Sequence, residues 1–138
     1  MSIYITGDVH GFTDRLEPGA YPELDALTKE DYLIICGDFG FIWNDGKEEL
    51  PDQGDYRRAR DSLERANWQV DYIITHCAPT SVQDRLGKGG YKADRLTEFL
   101  EEVAQRYRFH HWFFGHYHMD GHLGDRFSYL YEELLQLT

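Results

Sequence analysis

Four short segments of this chain each close on residues able to ligate a metal ion. The first runs into Asp8-Val9-His10, the second into Gly37-Asp38, the third into His76 and the fourth into Gly115-His116-Tyr117-His118. Together these exits supply two carboxylates and four imidazoles. Hard oxygen mixed with borderline nitrogen suits manganese, iron, zinc or cobalt better than calcium, and implies no thiolate. Six side chains exceed what one catalytic ion with open positions needs. They suit two ions about 3.5–4 Å apart that share a bridging carboxylate, a pair that activates water and clamps phosphoryl oxygens.

Each residue taken singly has an ordinary explanation. Asp8 and Asp38 stand among Gly7, Gly11, Gly37 and Gly40, as turn residues do. His76 alone reads as a core histidine, and His116 with His118 as a coincidence in an aromatic strand. Packing does not explain the same habit at four exits. His110, His111 and His122 receive the ordinary reading: the first two lie inside the fourth run on opposite faces, and His122 falls past it on a turn.

The runs that must position these groups cover residues 2–8, 31–38, 70–76 and 109–116. They are short and rich in Ile, Tyr, Phe and Trp, which predicts strands. The second and third are apolar on both alternating faces, as inner strands covered on both sides are. Helical spacing appears over 55–66, with Asp52 and Asp55 as an N-terminal cap and Asn67 as a stop, and over 95–107, capped by Asp94. A short helix is expected around 22–28, a flexible connector at 85–91, and a tail that begins as a strand. Strands alternating with helices predict an α/β fold with a largely parallel sheet. Such sheets bind ligands outside the carboxyl ends of their strands, so one rim would collect every exit. Asp8 and His10, like His116 and His118, are two apart, and in extended chain such residues point the same way.

The 138 residues fit one domain, 1–138, without an internal linker. Fourteen Lys and Arg against 25 Asp and Glu give a net charge of −11, which repels nucleic acid and anionic membrane. An anionic substrate would then need a local positive centre, and a bound metal is one. Cys36 and Cys77 are far apart and read as buried, reduced thiols. The start "MSIYITGD" has no basic leader or long apolar stretch, and no run approaches a membrane span, so a cytoplasmic protein is expected.

In this order, "GDVHG" (7–11), "GDFG" (37–40), "THCAP" (75–79) and "GHYH" (115–118) resemble the motifs of the calcineurin-like metallophosphoesterase family. The likeness extends over most of the chain, toward bacterial single-domain members of serine/threonine phosphatase type. It implies a β-sandwich of two packed sheets flanked by helices, with the metal site at the carboxyl ends of the strands. It implies that Asp8, His10 and His118 hold a first metal, that Asp38 bridges, and that His76 and His116 hold a second. Asp38, His76 and His116 would carry the catalysis, with two divalent ions, manganese before iron, zinc or cobalt. The implied reaction is hydrolysis of a phosphomonoester or phosphodiester.

One block of the family pattern is missing. Relatives carry "GNH" between the second and third motifs, its Asn on the second metal and its His beside the leaving group. Here the interval from Asp38 to His76 holds only Asn44 and Asn67, neither before a histidine, and the gap falls near 44–48. The second site would be weakened. The lost acid would cost ~10²–10⁴-fold, about 3–5 kcal/mol of barrier. Loss of strands would also uncover a sheet edge, and a second copy of the chain is expected to cover it. Arg57, Arg58 and Arg60 read as the solvated face of a helix, and Asn44 as a loop residue. The alternative function is a non-catalytic module that holds a metal or phosphorylated ligand; a shortened chain without selected function is a third.

Overall fold

A computed structural model describes residues 1–38 and 50–138. Gly40, Asn44 and the gap near 44–48 lie outside the described residues. Among the described residues seven strands and four α-helices form a mixed α/β fold: β1 (Ile3–Thr6), α1 (Pro22–Asp25), β2 (Tyr32–Ile35), α2 (Gln53–Arg65), β3 (Tyr72–Ile74), α3 (Thr80–Gly87), α4 (Arg95–Arg106), β4 (His111–Phe114), β5 (Gly121–Leu123), β6 (Phe127–Tyr129) and β7 (Leu135–Gln136). No helix among the described residues is long and apolar enough to cross a membrane.

The strands make two small sheets, in the orders β2-β1-β7 and β3-β4-β6-β5. Both are mixed rather than largely parallel. β1 pairs parallel with β2, and β4 parallel with both β3 and β6, whereas β7 and β5 run antiparallel at the edges. β4 shows why the layers form. Alternate residues of a strand face opposite ways. Trp112 and Phe114 point toward Val82 of α3 and Leu100 and Val103 of α4. Phe113 points the other way, into a cluster with Ile5, Cys36 and Leu130 that joins the two sheets. The order of layers is therefore sheet, sheet, helices.

Both long helices start where the capping residues predict. Asp52 accepts from Asp55 N–H at the head of α2, and Asp94 from Thr97 N–H at the head of α4, each answered by the reciprocal bond of a capping box. Asn67 follows α2 in the left-handed region (φ 52°). α1 is one turn, shorter than the expected 22–28.

Three expectations need correction. β2 and β3 are edge strands among the described residues, not inner ones, and their first residues Tyr32 and Tyr72 are 59 % and 42 % exposed. Apolar character on both faces records which side chains a strand carries, not which neighbours it keeps. Residues 85–87 belong to α3, so the connector begins only at Lys88, a left-handed C-cap. His122 lies in β5, not on a turn. The tail begins as a strand, as expected, with β6, and its end supplies β7, which returns to pair with β1.

Asp31 ties the start of β2 to the start of β1. Its carboxylate accepts from Ser2 N–H (2.6 Å), Thr28 N–H (2.8 Å) and the Thr28 hydroxyl (2.8 Å). The backbone donors at Thr28 and Ser2 lower its pKa from 3.8 to about 2. A depressed carboxyl stabilises the fold above its unfolded value and loses that contribution as pH falls through the folded one. The gap in urea midpoint between the native chain and Asp31→Asn should hold steady above about pH 5 and close between about pH 4 and 2. A gap that is independent of pH would contradict this role.

Candidate metal centre

All four strand exits meet at one end of the two sheets. The centre of the meeting point is the Asp8 carboxylate, 1 % exposed, and both its oxygens accept from His116 N–H (3.0 and 3.1 Å). Asp8 Oδ2 lies 3.4 Å from His10 Nε2 and 3.3 Å from His118 Nε2, and those two nitrogens are 2.8 Å apart. On the opposite side Asp8 Oδ1 lies 3.6 Å from His76 Nδ1, and His76 Nε2 is 3.0 Å from His116 Nδ1. Asp38 spans the same two halves, 4.0 Å from His10 Nδ1 and 3.8 Å from His76 Nε2.

Three groupings bring donor atoms within 4.8 Å of one another: Asp8, His10 and His118; Asp8, Asp38 and His76; and His76, Cys77 and His116. All six residues read from the sequence are thus brought together, linked through the shared Asp8 and His76. The clusters could hold a metal ion. Two imidazoles on one ion, with bonds of about 2.0–2.1 Å, leave their nitrogens about 3 Å apart. The 2.8 and 3.0 Å pairs match that spacing. His76 Nδ1 is fully buried without a hydrogen-bond partner, an arrangement that costs free energy unless something else satisfies the atom. These observations fit a cation-binding role.

The way the imidazoles converge differs from the expectation. β1 ends at Thr6 and β4 at Phe114, so the ligands lie on turns beyond the strands. His10, His116 and His118 all have positive φ (51°, 70° and 51°). Left-handed backbone is disfavoured at residues with a Cβ, typically by 1–2 kcal/mol, roughly, at each position. The turn therefore sends His118 to His10 and His116 to His76, to opposite halves rather than the same side. Two glycines make the crowding possible. A Cβ at Gly37 would lie 1.4 Å from Asp8 Oδ1, and one at Gly115 would lie 2.3 Å from the same atom and 2.5 Å from the Cys36 carbonyl oxygen.

Several supporting residues escaped the sequence reading. Arg15 donates to the Asp8 carbonyl (2.6 Å), the Thr6 hydroxyl (3.2 Å) and the Tyr131 carbonyl. Tyr131 stacks on His118 (5.0 Å, 18°), with the Arg15 guanidinium 5.5 Å from its ring. Asp120 fixes this segment by accepting from the backbone N–H groups of Tyr131, Glu132 and Glu133 (2.7, 3.1 and 2.9 Å). Beneath the site, the buried Tyr117 hydroxyl donates to Gln83 Oε1 (2.9 Å), and burial pushes its phenol pKa up. Burial, with Asp8 beside it, pushes the Cys36 thiol up to about 12. The sequence signal for these contacts is weak, because an arginine, a tyrosine or an aspartate in a turn is ordinary by itself.

The remaining histidines stand apart from the clusters. His111 Nε2 and His122 Nδ1 both bond Ser128 Oγ (2.7 Å each), and burial lowers the His111 pKa. His110 sits on the surface, 3.5 Å from Asp71. Arg57, Arg58 and Arg60 are exposed along α2, as expected; Arg58 pairs with Asp55, and Arg60 with Glu102 of α4 (2.9 Å).

Gly37→Ala should displace the Asp8 carboxylate and leave the far core intact. If the rim holds manganese, the rise in melting temperature that the ion gives should fall, with affinity at least about tenfold weaker, while the circular dichroism spectrum is retained. An unchanged manganese response would show that this carboxylate does not hold the ion. Neither protein-family models, nor curated protein sequences, nor solved structures gave a match to the chain.

Proposed function

We propose that the chain is a metal-dependent phosphoesterase of metallophosphoesterase type, with a two-ion centre on the rim and reduced turnover. The observation that carries this reading is the convergence of Asp8, His10, Asp38, His76, His116 and His118, from four separate strand exits, around one buried carboxylate. The order of the four motifs and the two facing sheets with helices on one outer side agree with it. A divalent pair held there supplies Lewis-acid charge and lowers the pKa of water.

The residues have distinct tasks in this reading. Asp8, His10 and His118 would hold one ion, and His76 and His116 the other, with Asp38 facing both halves. Asp8 is fixed from behind by the His116 N–H and by Arg15 on its carbonyl. The Asp38 side chain is 49 % exposed, so the rim opens to solvent on its side, where a phosphoryl group would enter. Arg15 is turned to backbone carbonyls, which leaves the cations to neutralise the substrate. Manganese is the ion proposed first, with iron, zinc or cobalt as alternatives.

The missing Asn-His block favours a second reading, a non-catalytic module that retains ligand binding. One experiment separates the two. Manganese-dependent hydrolysis of an aryl phosphate that falls by at least ~10²-fold in Asp38→Asn supports the enzyme. Manganese binding without turnover on mono- or diesters supports the module. Absence of any bound transition metal, together with no thermal response to manganese, would dispose of the enzyme and of a metal-holding module.

A second copy of the chain is the proposed partner, in a cytoplasmic setting. The support is that β2 and β3 each keep one unpaired side among the described residues, with Tyr32 and Tyr72 exposed. Unpaired edges are templates for strand addition. Light scattering at micromolar concentration should give twice the chain mass of 16.2 kDa; a monodisperse monomer would refute the pairing.

A further inference from the structure

The second half of the rim contains a donor that the motif pattern does not assign. The Cys77 Sγ, a His76 nitrogen and a His116 nitrogen lie within 4.8 Å of one another. Cys77 lies three residues past the end of β3, next to His76, and is only partly buried. Cys36, in contrast, is 3 % exposed and packs in the core between the sheets. The two thiols therefore occupy different environments, although the sequence gives them one reading.

The turn that carries Cys77 is held in place. Trp112 Nε1–H donates to Thr75 Oγ1 (2.8 Å), and the Thr75 hydroxyl donates to the Cys77 carbonyl (2.6 Å). Trp112 is fully buried, so this relay anchors the segment 75–77 to the core. His76 Nδ1 is buried beside Asp8 without a hydrogen-bond partner, and His76 Nε2 faces His116. A positioned thiol next to a close imidazole pair is a nitrogen and sulfur donor set. Such sets select zinc, cobalt or cadmium over manganese, because thiolate is a soft ligand.

We propose that Cys77 is a ligand of the cation held by His76 and His116, and that it gives this half of the rim a preference for thiophilic divalent ions. The inference rests on the metal reading of the rim above. Binding releases the thiol proton to solvent, since only the thiolate coordinates. The two halves then differ in chemistry. The half built on Asp8, His10 and His118 offers oxygen and nitrogen, and the half built on His76, Cys77 and His116 offers nitrogen and sulfur.

The test is spectroscopic and needs no turnover. The full chain, stripped with chelator, is titrated with cobalt(II) and then cadmium(II), alongside Cys77→Ser, Cys77→Ala and Cys36→Ser. The native chain should show visible cobalt bands and a near-ultraviolet thiolate-to-cobalt charge-transfer band. Both Cys77 variants should lose the charge-transfer band and keep visible bands from the other half, and Cys36→Ser should keep both. Cadmium affinity should fall at least about tenfold in the Cys77 variants, with manganese affinity nearly unchanged. A purely structural Cys77 would weaken all cations alike, which would overturn the proposal. Visible bands without charge transfer, or a charge-transfer band that follows Cys36, would also overturn it while leaving metal binding intact. No cobalt bands and no heat of binding would remove the metal reading itself, and this inference with it.

Discussion

A carboxylate in the dry interior is tolerated only when its oxygens are satisfied and its charge is countered. The Asp8 side chain has its oxygens satisfied at the junction of the strand exits, and a cation held there would counter its charge. Its oxygens take the His116 N–H, and four imidazoles surround the junction through Asp8 and its neighbours. The position leaves no room beside it, so the exits of β2 and β4 pass with Gly37 and Gly115 rather than with side chains. The left-handed turns at His10, His116 and His118 follow from the same constraint. Chain leaving a strand in extended form would carry these imidazoles past the carboxylate. The strain is local, and it occurs where the donors gather.

Support for this arrangement comes from parts of the chain that contribute no donor. Arg15 joins the carbonyls of Asp8 and Tyr131, and Tyr131 gives His118 a flat surface to lie against. Asp120 holds the 131–133 segment with three backbone bonds. The geometry of one histidine thus depends on a turn more than ten residues away and on an arginine near the other end of the chain. Outer-sphere groups of this sort commonly set how strongly a ligand set binds.

The legible parts of the sequence were those governed by local rules. The strands that feed the rim were visible as apolar runs, and the starts of α2 and α4 as capping pairs, because each signal lies within a few residues. The six donors were legible because they recur at the same place in successive units. What was hidden depended on distant partners. Nothing in β2 or β3 states whether a neighbour exists on the outer side, so both read as inner strands. α3 begins at a proline cap, lasts eight residues and ends in a glycine-rich stretch, so its helical pattern was too brief to outweigh its flank. Arg15 meets Tyr131 across 116 positions, and no periodicity encodes such a contact. Cys77 looked like Cys36 because composition does not distinguish a thiol packed between sheets from one beside two imidazoles.

The pairing of β7 with β1 has a consequence for assembly in time. Leu137 N–H reaches the Ile3 carbonyl (2.7 Å), and the Thr6 hydroxyl reaches the Glu133 carbonyl (2.9 Å), so the first strand closes against the last. Contacts of such long sequence separation form late, because a long loop must first be closed. A nascent chain emerging from the ribosome would therefore expose β1 with one flank bare until Leu135 and Gln136 have been made and can pair with it. Vectorial synthesis delivers Asp8 and His10 more than a hundred residues before the 131–133 segment that Arg15 ties to Asp8.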